Sequence, residues 1–265
     1  MRLALLVLSF AFVLGSSPCL NSQQSTAPPQ RDLHAMEILA QSVSSMGGAQ
    51  SVSSVRDFTA TGTITYFSGE KEVTGPMIIK SRGMGDFRLE TQFPNGVRSI
   101  TVRDGRGTLI ETDGQRTSIP YHNAIKAAIP VLPQIIVVTA LADETSSVEF
   151  AGTMDQSSHR AHRMLIHPKS RVRGAEEVIS KLMEKSIFID ADNGRITKVS
   201  DKTHPVDSFL RELDRDFEFE AYVSMNGQVV PTVIREKIGG SPISEFHIRS
   251  ISFNTGLTDK DFPTE

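Results

Sequence analysis

Residues 86–105, DFRLETQFPNGVRSITVRDG, predict two neighbouring β-strands and the tight turns that end them. In residues 86–93, large or β-forming side chains alternate with charged and polar ones, which is the period of a strand with one buried face. Residues 94–96 (PNG) and 104–105 (DG) are typical of hairpin turns, because asparagine, aspartate and glycine readily adopt positive φ angles. The stretch therefore indicates antiparallel strands connected by hairpins.

The same pattern of alternation and turns extends through most of the chain in both directions. Further strands are predicted at residues 58–66, 73–80, 97–103, 107–111, 147–153, 160–167, 182–190, 195–203, 214–224, 228–238 and 243–253. The polar and basic residues 168–180 are expected to form a loop. Crossover helices do not recur between the strands, which disfavours parallel βαβ units. The sequence therefore predicts a mainly β protein with about twelve strands in one antiparallel sheet.

Two apolar segments have the character of helices instead. Residues 33–46 place apolar side chains at helical spacing and are followed by two glycines, which favour the end of a helix. Residues 123–142, NAIKAAIPVLPQIIVVTALA, are mostly apolar but contain Pro130 and Pro133. The prolines predict a short helix, a bend and a second helix. Because this segment is apolar nearly all round, it must be covered by the sheet or line an apolar space, so we expect it to act as a lid on the hollow side of a curved sheet.

The overall composition argues against nucleic-acid binding. The 265 residues carry a formal net charge of −3, with no tryptophan and only 3 tyrosines. Phosphate backbones are bound by clustered lysine and arginine, and unpaired bases stack on aromatic side chains. Hydrophobic residues make up 38% of the chain, which is enough for a packed core.

The first nineteen residues have the pattern of a secretory signal peptide. Arg2 precedes an unbroken apolar run at residues 3–14, and small residues follow at 15–17. The apolar run is too short for an ordinary transmembrane helix. We therefore expect an exported, periplasmic protein in which residues 1–19 are the signal peptide, residues 20–32 a flexible linker and residues 33–265 the folded domain.

Cys19, the only cysteine, leaves two interpretations of the mature N-terminus open. Cleavage after Cys19 gives a mature chain without cysteine. Lipidation of Cys19 instead anchors the protein to a membrane, with the polar linker as a tether. Pro18 and Ser16 depart from the residues that lipoprotein signals favour at these positions.

The sequence contains no candidate catalytic or metal-binding motif. The sequence has no Gly-x-Ser-x-Gly elbow, no phosphate-binding loop and no dinucleotide fingerprint. His159, His162 and His167 lie on one predicted strand, where their spacing does not converge on a single ion. The acidic row at residues 214–220 is typical of the solvated face of a strand. The sequence therefore predicts no enzyme activity, metal or cofactor.

Two runs of the sequence resemble the periplasmic lipoprotein carriers, the LolA-like proteins, and their lipoprotein relatives. Residues 78–107 resemble the family's central strands, with the matching positions at Lys80, Arg82, Phe87, Arg88, Glu90, Asp104 and Gly105. Residues 225–262 resemble its last two strands and its C-terminal ending, at Asn254, Gly256, Asp261 and Phe262. The resemblance implies an open antiparallel half-barrel of about 11–12 strands, with helices plugging the concave face.

The resemblance also implies a function for this fold. It indicates an envelope protein that binds a lipid or lipoprotein acyl chain in a hydrophobic cavity, with transport between membranes and contacts to envelope membrane proteins as extensions of that role. A structural or interaction module that transports nothing is the alternative. The residues expected to line the cavity are Phe58, Phe87, Leu89, Phe93, Ile125, Ile129, Leu132 and Ile136. An arginine bonded to the helices closes the lid in the family, and Arg82 or Arg88 is expected to take that role.

Overall fold

One sheet of thirteen antiparallel strands dominates the computed structural model, which describes residues 29–156 and 159–264. The predicted signal peptide, including Cys19, lies outside the described residues. The strands are β1 (Asp57–Ser68), β2 (Lys71–Arg82), β3 (Asp86–Phe93), β4 (Gly96–Arg103), β5 (Arg106–Ile110), β6 (Arg116–Ile119), β7 (Ser147–Gln156), β8 (His159–His167), β9 (Lys185–Asp190), β10 (Ile196–Thr203), β11 (Leu213–Met225), β12 (Gln228–Ile238) and β13 (Ser241–Phe253).

Within the described ranges, five α-helices accompany the sheet, and a short 3-10 helix (Asp259–Asp261) follows the last strand. The α-helices are α1 (Leu33–Ser45), α2 (Ala49–Ser53), α3 (Tyr121–Ala124), α4 (Gln134–Ala142) and α5 (Glu176–Leu182). No helix within the described ranges is long and apolar enough to cross a membrane. The predicted helix, bend and helix are confirmed, because Pro130 and Pro133 lie in the non-helical stretch between α3 and α4.

The order of the strands places the two chain halves side by side. The sheet runs β6-β5-β4-β3-β2-β1-β13-β12-β11-β10-β9-β8-β7, and β1 pairs with β13 at the junction. β6 and β7 are therefore the two free edges, although they follow one another in the chain. The connection between them, residues 120–146, contains α3 and α4 and runs from one edge of the sheet to the other. We call its central part, residues 121–142, the lid.

The sheet curves around α1, α2 and α4. Thirteen strands laid flat would be roughly 60 Å wide, whereas a helix of 13 residues such as α1 is about 20 Å long. One continuous cluster of buried residues nevertheless joins α1, α2 and α4 to β1–β3 and β7–β13. The open antiparallel half-barrel with helices on its concave face is thus confirmed, with one strand more than the upper expected number.

The differences from the predicted elements lie in short polar segments. β6 has only four residues, RTSI, which offer no apolar alternation to detect. Residues 176–182 form α5 within and just beyond the expected loop, so the next strand begins at Lys185 and not at residue 182. Both elements lie outside the main hydrophobic core, so the apolar pattern did not indicate them.

The junction between the two halves depends on one close backbone approach. The register of β1 against β13 shifts between Thr61 and Gly62. A Cβ atom added at Gly62 would lie 1.9 Å from the backbone oxygen of His247, a distance that forces the strands apart. Glycine is therefore required at this bulge for steric reasons.

We predict that Gly62→Ala lowers the free energy of unfolding by about 1–3 kcal/mol, because the added methyl group overpacks the β1–β13 junction. Gly85→Ala is the matched control, since nothing lies within 4 Å of a Cβ atom built at Gly85. Denaturant unfolding of both variants measures the difference. Equal midpoints for the two variants would show that the junction absorbs the methyl group without strain.

Candidate functional site

An apolar cavity of about 120 Å³ lies between the lid and the concave face of the sheet. Most of its apolar wall comes from the lid, between Ile125 and Ile136, and the sheet contributes Phe58, Val199 and Phe217. The lid supplies this wall because every side chain in residues 125–133 except that of Lys126 is apolar. The apolar sequence that predicted a lid therefore lines the space beneath it.

Five of the eight expected lining residues border this cavity, namely Phe58, Ile125, Ile129, Leu132 and Ile136. The other three lie on β3, two strands away from β1. Phe87 and Leu89 belong to the main hydrophobic core. Phe93 is buried against Tyr66, with ring centroids 5.9 Å apart. Alternation correctly indicated that these side chains face inward, but it does not distinguish a cavity wall from a packed core.

A second cavity of about 570 Å³ adjoins the first. It lies along α4 and the segment from α2 to the start of β1, with Val52, Val55 and Val138 among its apolar residues. The two cavities share Phe58, Ser81, Gly83, Met84 and Ile135 in their walls. The two cavities are therefore neighbours along the lid, and the second is the more polar, because Arg56, Asp57, Asp143 and Arg171 also border it.

A cluster of buried charges closes one end of the smaller cavity. Arg215 on β11 and Asp201 on β10 are directly paired across the sheet. Nε and Nη2 of Arg215 donate to the two carboxylate oxygens of Asp201, each at 2.8 Å, and Nζ of Lys185 donates to Oδ2 of Asp201 at 2.9 Å. Burial alone would raise the pKa of Asp201, but the charges and hydrogen bonds of Arg215 and Lys185 outweigh it and hold that pKa well below its usual range. Asp201 is therefore ionised at neutral pH.

Lys126 brings a third positive charge to this cluster from the lid. It is only 5% exposed. Burial lowers the pKa of its ammonium group from 10.5 to about 8, and the positive charges of Arg215 and Lys185 act in the same direction. The carboxylates of Asp201 and Glu212 oppose this shift only in part. The low pKa means that the folded protein holds this proton less tightly than the unfolded chain does.

Polar bonds attach the beginning of the lid to β10, to the loop after β10 and to β11. Nη2 of Arg215 donates to the backbone oxygen of Lys126 at 3.0 Å, and Nζ of Lys126 donates to the backbone oxygen of Lys202. Nδ2 of Asn123 donates to the backbone oxygen of His204 at 2.8 Å. The charged cluster is thus also a point of attachment for the lid.

Arg31 attaches the other end of the lid. Its guanidinium group donates to the backbone oxygens of Ala140 at 3.2 Å, Leu141 at 3.0 Å, Asp143 at 2.6 Å and Ser146 at 3.1 Å. The last carbonyl groups of a helix lack hydrogen-bond donors within the helix and carry partial negative charge. The guanidinium group of Arg31 supplies both the donors and a compensating positive charge. Arg31 was not among the predicted site residues because it lies in the predicted linker.

The two arginines expected to hold the lid are placed elsewhere. Arg82 pairs with Asp86 and with Asp259, both at 2.6 Å. Arg88 donates to the backbone oxygen of Asp261 at 3.2 Å. Both therefore fasten the C-terminal segment to β2 and β3, and the bonds to the lid come from Arg31 and Arg215 instead. The expected type of contact is present, but other arginines make it.

Solved structures of other proteins share this architecture. A domain named as an outer membrane lipoprotein-sorting protein, from Vibrio parahaemolyticus, is 14% identical over 86% of this chain and 96% of its own, with a TM-score of 0.52. A LolA superfamily protein from Nitrosomonas europaea is 12% identical over 86% of this chain and 97% of its own, with a TM-score of 0.51. A DUF1329 family protein from Desulfovibrio piger is 10% identical over the same shares, with a TM-score of 0.52.

These similarities establish a LolA-like fold. No protein-family model matches the sequence, and no curated protein matches it. The sequence resemblance that predicted the fold is therefore confirmed at the level of the structure.

We predict that Lys126→Met removes a pH dependence of stability. The pKa of Lys126 is about 8 in the folded protein, against the ordinary lysine value of 10.5, which applies to the unfolded chain. Between these two pH values the unfolded chain binds more protons than the folded protein. The free energy of unfolding of the wild type therefore rises with pH in this range. The free energy of unfolding of Lys126→Met minus that of the wild type should be most positive below about pH 8. It should then fall by up to roughly 3 kcal/mol on going to about pH 10.5. Denaturant unfolding across this pH range measures the difference in free energy of unfolding, and Lys71→Met, at an exposed lysine, is the control. Parallel plots of the free energy of unfolding against pH for the wild type and Lys126→Met would contradict the prediction.

We also predict that Arg31→Met loosens the lid without unfolding the domain. Loss of the charged donor leaves the last carbonyl groups of α4 without their partner. Amide hydrogen exchange in residues 134–142 should accelerate about tenfold, while exchange in β11–β13 stays unchanged. Exchange measured by mass spectrometry tests this, with the exposed Arg211→Met as control. Unchanged protection of α4 would mean that its apolar packing alone holds the lid.

Proposed function

We propose that this protein is an exported, non-catalytic envelope protein that binds an acyl chain of a lipid or lipoprotein beneath the lid. The observation that carries the proposal is the apolar cavity between the lid and the concave sheet, bordered by Phe58, Ile125, Ile129, Leu132 and Ile136. Two similar structures are named for lipoprotein sorting or for the LolA superfamily, which supports this class of cargo. The signal pattern of residues 1–19 supports a periplasmic location, and Cys19 is the candidate membrane anchor.

The volumes of the two cavities indicate how a chain is accommodated. A cavity of about 120 Å³ is somewhat smaller than the engineered cavity of about 150 Å³ that binds benzene. Sites for larger ligands typically have volumes of about 300–1,000 Å³, and the adjoining cavity of about 570 Å³ falls in this range. A long acyl chain therefore has to extend through both cavities, with a shift of the lid where Ile135 and Met84 separate them.

A structural or interaction module that transports nothing is the second candidate. The cavity directly under residues 125–136 is small, and this favours the second candidate, because small voids also occur in an ordinary packed core. The two functions differ in what the purified protein contains. Only the binding function requires a lipid to enter the space under the lid.

We predict that an introduced tryptophan at the cavity reports lipid binding. The chain contains no tryptophan, so Ile136→Trp places a single fluorophore in the cavity wall. Adding a single-chain lipid should change its emission maximum and intensity saturably, because the lipid changes the polarity around the indole ring. Val73→Trp is the control, since Val73 is 48% exposed on β2 and should not respond.

Lipid that accompanies the protein during gentle purification provides the complementary measurement. Mass spectrometry should find acyl lipid in the wild-type protein. Repeated absence of lipid, together with no response of the cavity tryptophan to added lipid, would leave the structural or interaction module as the function.

A further inference from the structure

The charged end of the smaller cavity has an excess of positive charge. Three cationic side chains, Lys126, Lys185 and Arg215, border the cavity together with a single carboxylate, Asp201. Arg215 and Lys185 both bond to this same carboxylate. Glu212 and Glu236 attract Lys126 and Arg215, respectively, only through their charge at longer range. Among the described side chains that border this cavity, one carboxylate is therefore in contact with the cationic groups.

The two lysines also retain hydrogen-bonding capacity. An ammonium group carries three donors. Among the described residues, Lys126 uses one of them on the backbone oxygen of Lys202 and Lys185 uses one on Asp201. Burying a cation without a paired anion is costly, and a buried polar group normally finds its partners. A further acceptor with negative charge would satisfy both the charge and the donors.

The position of the cluster fits the polar end of an amphiphile. On one side, Ile125, Ile129 and Phe217 continue from it into the apolar cavity. On the other side, Lys185 and Asp201 also border a third cavity of about 760 Å³, whose lining is rich in charged side chains of both signs. The cluster thus lies at the boundary between an apolar space and a polar one.

We propose that the ligand is a single-chain amphiphile with an anionic oxygen headgroup, a carboxylate or a phosphate, bound beside Lys126, Lys185 and Arg215 with its acyl chain under the lid. This inference rests on the proposed function and adds the chemical class of the headgroup. The headgroup accepts hydrogen bonds from the two ammonium groups, which strengthens the attachment of the lid to β9–β11. The lid then closes most firmly over a charged ligand.

The alternative is that these charges only attach the lid. In that case the bonds from Arg215 to the backbone of Lys126 and from Lys126 to Lys202 account for the cluster, and the headgroup of the ligand is irrelevant. Ligands with the same chain and different headgroups separate the two interpretations.

Dodecanoate, dodecyl phosphate and dodecanol test the inference when they displace a fluorescent fatty acid from the full mature chain at pH 7. We expect at least one of the two anionic ligands to bind ten times more tightly than dodecanol, and the stronger one identifies the headgroup. Lys126→Met should reduce the ratio of anionic-ligand affinity to dodecanol affinity at least fivefold. Lys126→Arg, which keeps the charge, and the exposed Lys71→Met should both preserve it.

Each contrary outcome is distinct. Equal binding of the anionic ligands and dodecanol by the wild type overturns the headgroup site and leaves acyl-chain binding intact. If acetate or inorganic phosphate binds as tightly as the dodecyl ligands, the inference that the ligand is an amphiphile is wrong, because the acyl chain then contributes nothing to the affinity. Binding of neither a dodecyl ligand nor the fluorescent fatty acid overturns the proposed function itself.

Discussion

The connection between the two edges of the sheet is the constraint on which the rest of this structure depends. β6 and β7 are consecutive in the chain but lie at opposite ends of a thirteen-strand order. Residues 120–146 must therefore pass from one edge to the other, and their apolar side chains make the inner face of the curved sheet the favourable route. An apolar lid is thus a consequence of the strand order, and the cavities follow from imperfect contact between this irregular segment and the sheet.

The lid is apolar along its length and polar where it is attached. Arg31 binds the carbonyl groups at the end of α4, and Arg215 and Lys126 bind at the beginning of the lid. A buried ion pair such as Arg215 with Asp201 adds little net stability, because desolvation offsets most of the attraction. Its contribution is directional: it fixes where the lid meets the sheet. Apolar burial then supplies most of the stability.

The sequence predicted the fold well because alternation and turn residues report directly on a half-buried sheet. It predicted the cavity wall less well, with five of the eight expected residues at the cavity, for a related reason. Phe87 and Phe58 have the same inward pattern, yet only Phe58 borders the cavity. Whether an inward side chain meets another side chain or a space depends on contacts between distant strands, which no local pattern contains.

A signal for the charged cluster was nevertheless present. Arg215 occupies an inward position in the alternation of Leu213, Phe217 and Phe219, and Asp201 shares a face with Val199 in the same way. A charged residue at an inward position of a strand requires a partner in the core. Two such residues on neighbouring strands predict a buried pair, whereas Arg31 carried no comparable signal.

The proposed binding of an acyl chain is reversible if the energies of lid attachment and chain burial are of the same order. Burying an acyl chain contributes about 0.8 kcal/mol for each methylene group, or about 9 kcal/mol for a twelve-carbon chain. The bonds of Arg31, Arg215 and Lys126 that hold the lid contribute about 1–3 kcal/mol each where charged donors are involved. Under the proposed function, opening one end of the lid costs less free energy than burial of the chain returns, so the empty protein stays closed and a chain of sufficient length enters. In the proposed complex, a headgroup bonded to Lys126 adds to the attachment of the lid, so the closed, loaded state is more stable than the open state or the closed, empty state.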